Sequence, residues 1–515
     1  MAEIFYKNLD QTSSFQTLQK STVPSLKEFI TEDRVKRCSI DAGGGLKYNY
    51  AALPVDEKII GVLQDLADEQ QLIPKYEALL RGERMNTGED RMVLHHLTRG
   101  DFDRPVEEDG RNLRDFYVSQ LEKIRAFTEK IHEGKKFTDV VQIGIGGSDL
   151  GPRALYLALT GCCEQHLQAH FISNVDPDDA AAVLKGLPLE STLFILVSKS
   201  GTTQETLTNQ QLVSHYIQEH APGIDPSRHM IAVTSQSSPL ARSSDFLESF
   251  YIDDYIGGRY SSTSAVGATL LSLCFGYRNF SALLEGAHEA DILARGSAVT
   301  SNAALLDALI GVYLGNVLGY RVSAILPYSQ ALVRFPAHLQ QLDMESNGKQ
   351  VNRSGRPVDY HTGPVIFGEP GTNGQHSFYQ LLHQGTEKVL LQFIGFRTNQ
   401  QNIDQTIDGF TSRQKLNANL AAQIVAFARG KKDADPNKNF PGDSPSSLLY
   451  GDALTPRSLG ALLAHFENKV MFQGFLWNIN SFDQEGVQLG KTLAKQILTG
   501  TDDSLLKSYA KIMGV

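Results

Sequence analysis

The sequence has little cysteine: four residues in 515, Cys38, Cys162, Cys163 and Cys274. Two are adjacent and no CxxC occurs, which excludes a disulfide framework or a zinc ribbon as the organising device and fits a reducing compartment. A positive balance is missing as well. Lys and Arg number 48 against 58 Asp and Glu, a net charge of −10, with a pI of about 5.8. Nucleic-acid proteins show a basic face, so that class is disfavoured, while a local anion pocket is not. No apolar run reaches bilayer length; the windows at 266–277 and 308–318 are too short. The opening MAEIFYKN has no apolar core of signal-peptide length. What is present is ordinary for a folded soluble chain, 41% hydrophobic and 21% charged. The expectation is a cytoplasmic enzyme of two domains or more, since one core rarely serves such a length.

Residues 1–130 show no clear strand alternation. Stretches 57–69 and 112–132 carry apolar residues at helical spacing, so this region reads as mostly helical, packed on the larger domain. Within it 86–95 reads NTGEDRMVLH, and Arg91 and His95 read as a salt-bridged helix face. From Thr138 the character changes. Strand candidates at 140–145, 170–173, 193–198 and 230–234 alternate with helical stretches. A second alternating unit starts near 286, with helices at 302–319, 330–344 and 404–429 and strands at 321–326, 365–367 and 389–394. Residues 431–447 read as an exposed loop, and helices resume at 457–467 and 485–498. The alternation predicts an α/β fold of two domains, 131–285 and 286–515, each a parallel sheet flanked by helices, with C-terminal helices as an arm. Ligands of such sheets bind at the carboxyl ends of the strands.

At one such end the apolar run 193–197 leads into Ser198-Lys199-Ser200-Gly201-Thr202-Thr203, ahead of a helical stretch. One hydroxyl would serve as a helix cap. Four, beside a lysine and a glycine, favour a phosphate held by hydroxyls, ammonium and unpaired helix N–H groups. GIGGSDLG at 144–151 fails the dinucleotide fingerprint, because its third glycine would fall on Asp149. Gly147 and Ser148 then suit either close backbone approach to a ligand or a tight structural turn. Gly257-Gly258-Arg259 presents a guanidinium for an oxyanion, or a loop salt bridge. Glu345 at a helix end opposes the helix dipole, which suits a general base, although most such glutamates are merely solvated. His376, in the first turn after Gly371-Thr372-Asn373-Gly374, is a proton shuttle or a capping histidine. FDQEGVQLGK at 482–491 is no P-loop, since only three residues separate Gly486 and Gly490; Lys491 is a surface lysine or a proton donor.

Six segments in order, GIGGSDLGPRA, SKSGTTQET, GGRYSSTSAVGA, ESNGK, GTNGQHSFYQLLHQGT and FDQEGVQLGK, span residues 144–491. Together they resemble the glucose-6-phosphate isomerase family, and NTGEDRMVLH resembles its N-terminal segment. The resemblance implies two sugar-isomerase-type domains and a homodimer whose active sites lie at the domain and subunit boundary. It implies aldose–ketose isomerisation of glucose 6-phosphate and fructose 6-phosphate, in glycolysis and gluconeogenesis, with no metal and no cofactor. By its pattern Glu345 matches the base that moves a proton between C2 and C1, and Arg259 the cation that stabilises the enediolate. His376 and Lys491 match the groups that open the sugar ring, with His376 reaching the site of the neighbouring subunit. Ser198, Lys199, Ser200 and Thr203 match the phosphate cradle, and Gly147, Ser148 and Gln484 other substrate contacts. Gly88 stands where a Thr is common, Ser200-Gly201 where many members have Thr-Phe, and Glu485 and Gln488 replace an aromatic and a glutamate. Rival readings are an isomerase acting also on mannose 6-phosphate or on amino sugar phosphates, and a non-catalytic sugar-phosphate-binding regulator. The joint presence of Glu345, His376 and Lys491 argues against the regulator.

Overall fold

The computed structural model describes residues 3–401 and 403–515. A hairpin, β1 (Ser39–Gly43) and β2 (Leu46–Asn49), precedes the first long helix, α1 (Glu57–Glu69). Asp56 caps α1 by accepting from the Ile59 amide at 2.8 Å, and Ile59, Leu63, Leu66 and Ala67 turn inward at helical spacing. The hairpin is a departure from the helical reading of residues 1–130. Its strands are five and four residues long, too short for alternation to stand out. Its turn is made by Gly43, Gly44 and Gly45, all at positive φ.

After α2 (Leu113–Gly134) comes the first sheet: β3 (Asp139–Ile143), β4 (Gln168–Ile172), β5 (Thr192–Val197), β6 (Met230–Thr234) and β7 (Glu248–Tyr251). The order is β4-β3-β5-β6-β7, parallel throughout. Every residue of β5 is buried. Leu193, Ile195 and Val197 point into the main core with Leu270 and Leu271 of α5 (Ala265–Phe275). Phe194 and Leu196 point the other way, toward Val213 and Ile217 of α4 (Gln204–His220); α3 (Leu150–Leu159) comes earlier, between β3 and β4. An unbroken apolar run is what a two-faced parallel strand requires.

The second sheet takes β8 (Val322–Pro327), β9 (Val365–Phe367), β10 (Val389–Phe396) and β11 (Ser446–Gly451), in the order β1-β2-β11-β10-β8-β9. Its last four strands are parallel, and the N-terminal hairpin adds an antiparallel edge along β11. Helices α6 (Tyr277–Leu293), α7 (Ala303–Asn316) and α9 (Pro456–Leu476) pack beside it, with α8 (Ser412–Arg429) before β11. Thr455 and Ser458 cap α9 reciprocally, and the helix is buried from Ser458 to Leu476. It approaches α6 backbone to backbone. A Cβ on Gly286 would lie 1.8 Å from the Arg457 carbonyl oxygen, and one on Gly460 1.8 Å from that of Leu283. Two further helices, α10 (Gln488–Thr499) and α11 (Ser504–Ile512), end the chain.

Three stretches differ from the sequence reading. The helix expected over 404–429 starts at Ser412, because Asp408 and Gly409, both at positive φ, turn a small hairpin, Thr406–Ile407 with Phe410–Thr411. Asp-Gly is a strong hairpin signal that the helical spacing downstream masks. The loop expected over 431–447 closes into β11 at Ser446, which is buried. The helix expected over 330–344 is broken into a 3₁₀ turn, an α turn (Phe335–Leu339) and a π turn (Gln340–Glu345). Wide π turns concentrate at functional sites. Among the described residues no helix is long and apolar enough to cross a membrane.

Candidate active site

Two loops leave the carboxyl ends of neighbouring strands β3 and β5. Ser198 is buried; its Oγ donates to Thr203 Oγ1 at 3.1 Å and accepts from the Gly201 amide at 3.1 Å. Gly201 adopts φ +65°, and a Cβ there would lie 2.1 Å from Ser238 Oγ, so only glycine makes this turn. Ser200 Oγ accepts from the Thr202 amide at 3.2 Å and from Thr202 Oγ1 at 3.0 Å. Helix α4 starts after Thr203 with no side-chain cap. Its first N–H groups therefore lack a side-chain partner and the Ser200 and Thr202 hydroxyls beside them are exposed, an arrangement suited to an anion. Lys199 instead turns its ammonium to the Ile256 carbonyl at 3.1 Å, and burial lowers its pKa against the opposing charge of Asp254.

The β3 loop meets the Arg259 turn backbone to backbone: a Cβ on Gly147 would lie 2.2 Å from the carbonyl carbon and oxygen of Gly258. Ser148 is half-buried in the same turn. Arg259 is 1% exposed, and every guanidinium nitrogen is engaged. Nε donates to Ser346 Oγ at 2.6 Å. Nη2 donates to the carbonyls of Ser481 at 2.7 Å and Asp483 at 3.0 Å. Nη1 donates to Glu345 Oε2 at 3.1 Å and to Gln484 Oε1 at 3.2 Å. The Glu345 side chain keeps 20% of its surface open. A buried cation thus holds a partly open carboxylate, an arrangement suited to taking a carbon-bound proton and stabilising the oxyanion that results. Among the described residues no group of His, Cys, Asp and Glu is placed to hold a metal ion.

Several contributors went unread in the sequence. Lys349 Nζ ties Glu345 to the 482–484 loop: it donates to the Glu345 carbonyl at 2.8 Å and to that of Asp483 at 3.1 Å, and pairs with Asp483 Oδ1 at 3.1 Å. Gly88 lies against that loop, and a Cβ there would lie 2.6 Å from Asp483 Oδ2. Asn86 Oδ1 accepts from Asn480 Nδ2 at 2.9 Å. The expected helix face for Arg91 and His95 is corrected. Arg91 pairs with Asn86 in an isolated bridge and lies 3.7 Å from Asp254. His95 is buried in a 3₁₀ turn, stacked on Tyr260 at 4.8 Å, and burial lowers its pKa well below normal. Helical spacing over ten residues could not separate a surface face from a packed turn.

The family model described as phosphoglucose isomerase matches residues 49–511. The chain belongs to the phosphoglucose isomerase family. Its curated relatives include the glucose-6-phosphate isomerase of Treponema denticola, 59% identical over 99% of both chains, and that of Borreliella afzelii, 47% identical over 99% of both. Among solved structures, the crystal structure of a glucose-6-phosphate isomerase from Chlamydia trachomatis superposes with a TM-score of 0.94 at 42% identity, covering 99% of each chain. The two sheets here are thus the α/β architecture of a phosphoglucose isomerase.

Within the single chain, Arg259, Glu345 and Gln484 are drawn together and two other predicted groups are not. His376 is exposed at the end of the turn Asn373–His376, and its side chain has no hydrogen bond among the described residues. Its neighbour Gln375 is fixed, with Nε2 donating to Tyr328 Oη at 2.7 Å. Lys491 is exposed on α10, also without a bonded partner among the described residues.

Proposed function

We propose that the chain interconverts glucose 6-phosphate and fructose 6-phosphate through an enediolate, in the cytoplasm, as a homodimer that completes each active site from both subunits. The observation that carries this reading is the buried Arg259 held 3.1 Å from the partly open Glu345 carboxylate, in contact with the loop beside the cradle. Ser200, Thr203 and the α4 N-terminus take the phosphate; Ser198, predicted as a direct contact, instead braces Thr203 and the Gly201 turn from the buried side, and Lys199 adds background charge. That anchor is remote from C1 and C2 and positions them. Gly147, Ser148 and Gln484 bound the sugar. Glu345 carries the proton between C2 and C1, and Arg259 balances the charge that develops on the oxygens.

His376 and Lys491 supply the acid–base step that opens the ring. The dimer reading is supported by their exposure and by the C-terminal arm. Leu489, Leu498, Leu505, Tyr509 and Ile512 on α10 and α11 are each at least 60% exposed. Apolar stripes of this size ask for a partner surface. The direct experiment is an NADP-linked assay in which glucose 6-phosphate formed from fructose 6-phosphate is oxidised. Turnover with and without a chelator is expected to be the same; no glucose 6-phosphate formed by the folded protein would refute the reading.

A further inference from the structure

The single tryptophan of the sequence, Trp477, walls a cavity of about 210 Å³ that none of the groups above uses. It lies among the C-terminal part of α7, the amino ends of β8 and β9, and α9, with Gly311 and Gly315 leaving room on the α7 side. Trp477 Nε1 donates to Asn316 Oδ1 at 2.9 Å, which fixes the indole as a flat apolar face.

Its buried end carries three polar groups whose bonding is incomplete. Asp343 is 4% exposed; Oδ1 accepts from Asn347 Nδ2 at 2.9 Å, and the other oxygen accepts nothing among the described residues. Burial raises its pKa to about 6 against the pull of Lys469. Lys469 pairs with Asp307 Oδ1 at 3.0 Å and donates to nothing else among the described residues. Gln473 is 3% exposed, and its amide oxygen has no partner among the described residues. At the mouth stand Arg321 and His361, both exposed, Arg321 without an ion pair among the described residues.

Unfilled donors and acceptors side by side suit hydroxyl groups, which do both. An apolar occupant would leave Gln473 and Asp343 unpaired, at a cost. An exposed arginine and an exposed histidine in the lining suit one anionic group. We propose that this cavity is a second ligand site, for a small polyol carrying one phosphate or carboxylate, and that its occupancy alters isomerisation. The link is a run of hydrogen bonds. Asn347, which donates to Asp343, accepts from Ser481 Oγ at 2.7 Å; the Ser481 carbonyl accepts from Arg259, and Arg259 holds Glu345. Asp343 also shares the π turn with Glu345.

Trp477 reports the site directly. The test is a fluorescence titration of the full-length enzyme with gluconate, with glycerol 3-phosphate and with neutral sorbitol. A saturable change is expected with gluconate or glycerol 3-phosphate and none with sorbitol; which anion responds tells carboxylate from phosphate. Arg321→Ala and Gln473→Leu are each expected to weaken it at least about tenfold. Both should leave KM for fructose 6-phosphate within about twofold, which also shows that they fold. Should Gln473→Leu fail to fold, the surface change Arg321→Ala still decides. No saturable change, or one that Arg321→Ala leaves intact, overturns the site, and an equal response to sorbitol overturns its anionic character. Turnover should fall along the same titration curve. Turnover that ignores a saturating signal overturns the coupling, whatever the outcome for the site.

Discussion

The inner and outer halves of the active site are built in opposite ways. Arg259 is 1% exposed and donates five hydrogen bonds, to Ser346, Ser481, Asp483, Glu345 and Gln484. His376 and Lys491 lie on the surface with no bonded partner among the described residues. In the proposed reaction the inner groups serve the transition state, where a preorganised cation and base cost no reorganisation. In that reaction the outer groups move a proton at the ring oxygen, and neither has a bonded partner among the described residues. Arg259 and Glu345 are thus brought together within one chain, whereas His376 and Lys491 are the groups that the proposed second subunit would have to place.

That contrast can be broken from either side. Glu345→Gln keeps shape and the bond to Arg259 but removes the base; kcat should fall by about 10²–10⁴ with KM little changed. Near-wild-type turnover in the folded variant would remove Glu345 from the chemistry. Arg259→Lys keeps the charge but cannot fill the fork of acceptors, so kcat should fall by about 10²–10³. Thermal melting should also show a lowered midpoint, because the Ser481 and Asp483 carbonyls lose their donor. Ser200→Ala with Thr203→Ala should chiefly raise KM and weaken a phosphorylated acid inhibitor, by about tenfold or more from lost bonds to charged oxygens. Unchanged inhibitor affinity would place the phosphate elsewhere. The smallest effect per chain is expected in the arm. Leu498→Ser with Leu505→Ser should leave the melting midpoint nearly alone but raise the dimer dissociation constant, since each leucine buries roughly 1.5–3 kcal/mol of apolar surface in a partner. Sedimentation across a concentration series measures it.

Much of this was legible in the sequence, for identifiable reasons. The unbroken apolar run of β5 could only be a two-faced strand, and the hydroxyl-rich loop after it could only be a turn into a helix. Both α/β units follow from that pattern. The hairpin β1–β2 was illegible because five- and four-residue strands carry too little periodicity, and its pairing with β11 spans about 400 residues of sequence. The π turn hid for a different reason: it keeps a helical apolar spacing while widening one turn. Glu345 and Arg259 stood out in local pattern only beside a blander alternative for each, and their roles came through resemblance. Their contact, and the clamp of Lys349 on Asp483, depend on three loops meeting, which no local pattern encodes. Gly88 lies against the Asp483 side chain, a neighbour visible only in three dimensions.

The central claim is that each site takes Glu345 from one chain and His376 from the other. Mixing and refolding two inactive variants, Glu345→Ala and His376→Ala, tests it most directly. Heterodimers would then hold one site with both defects and one with none. Random two-fold pairing makes half of all dimers mixed, so activity should return to about a quarter of wild type. Each variant refolded alone gives the baseline. If differently tagged chains are shown to pair and activity does not rise above that baseline, His376 serves its own chain or has no role, and the shared site is refuted.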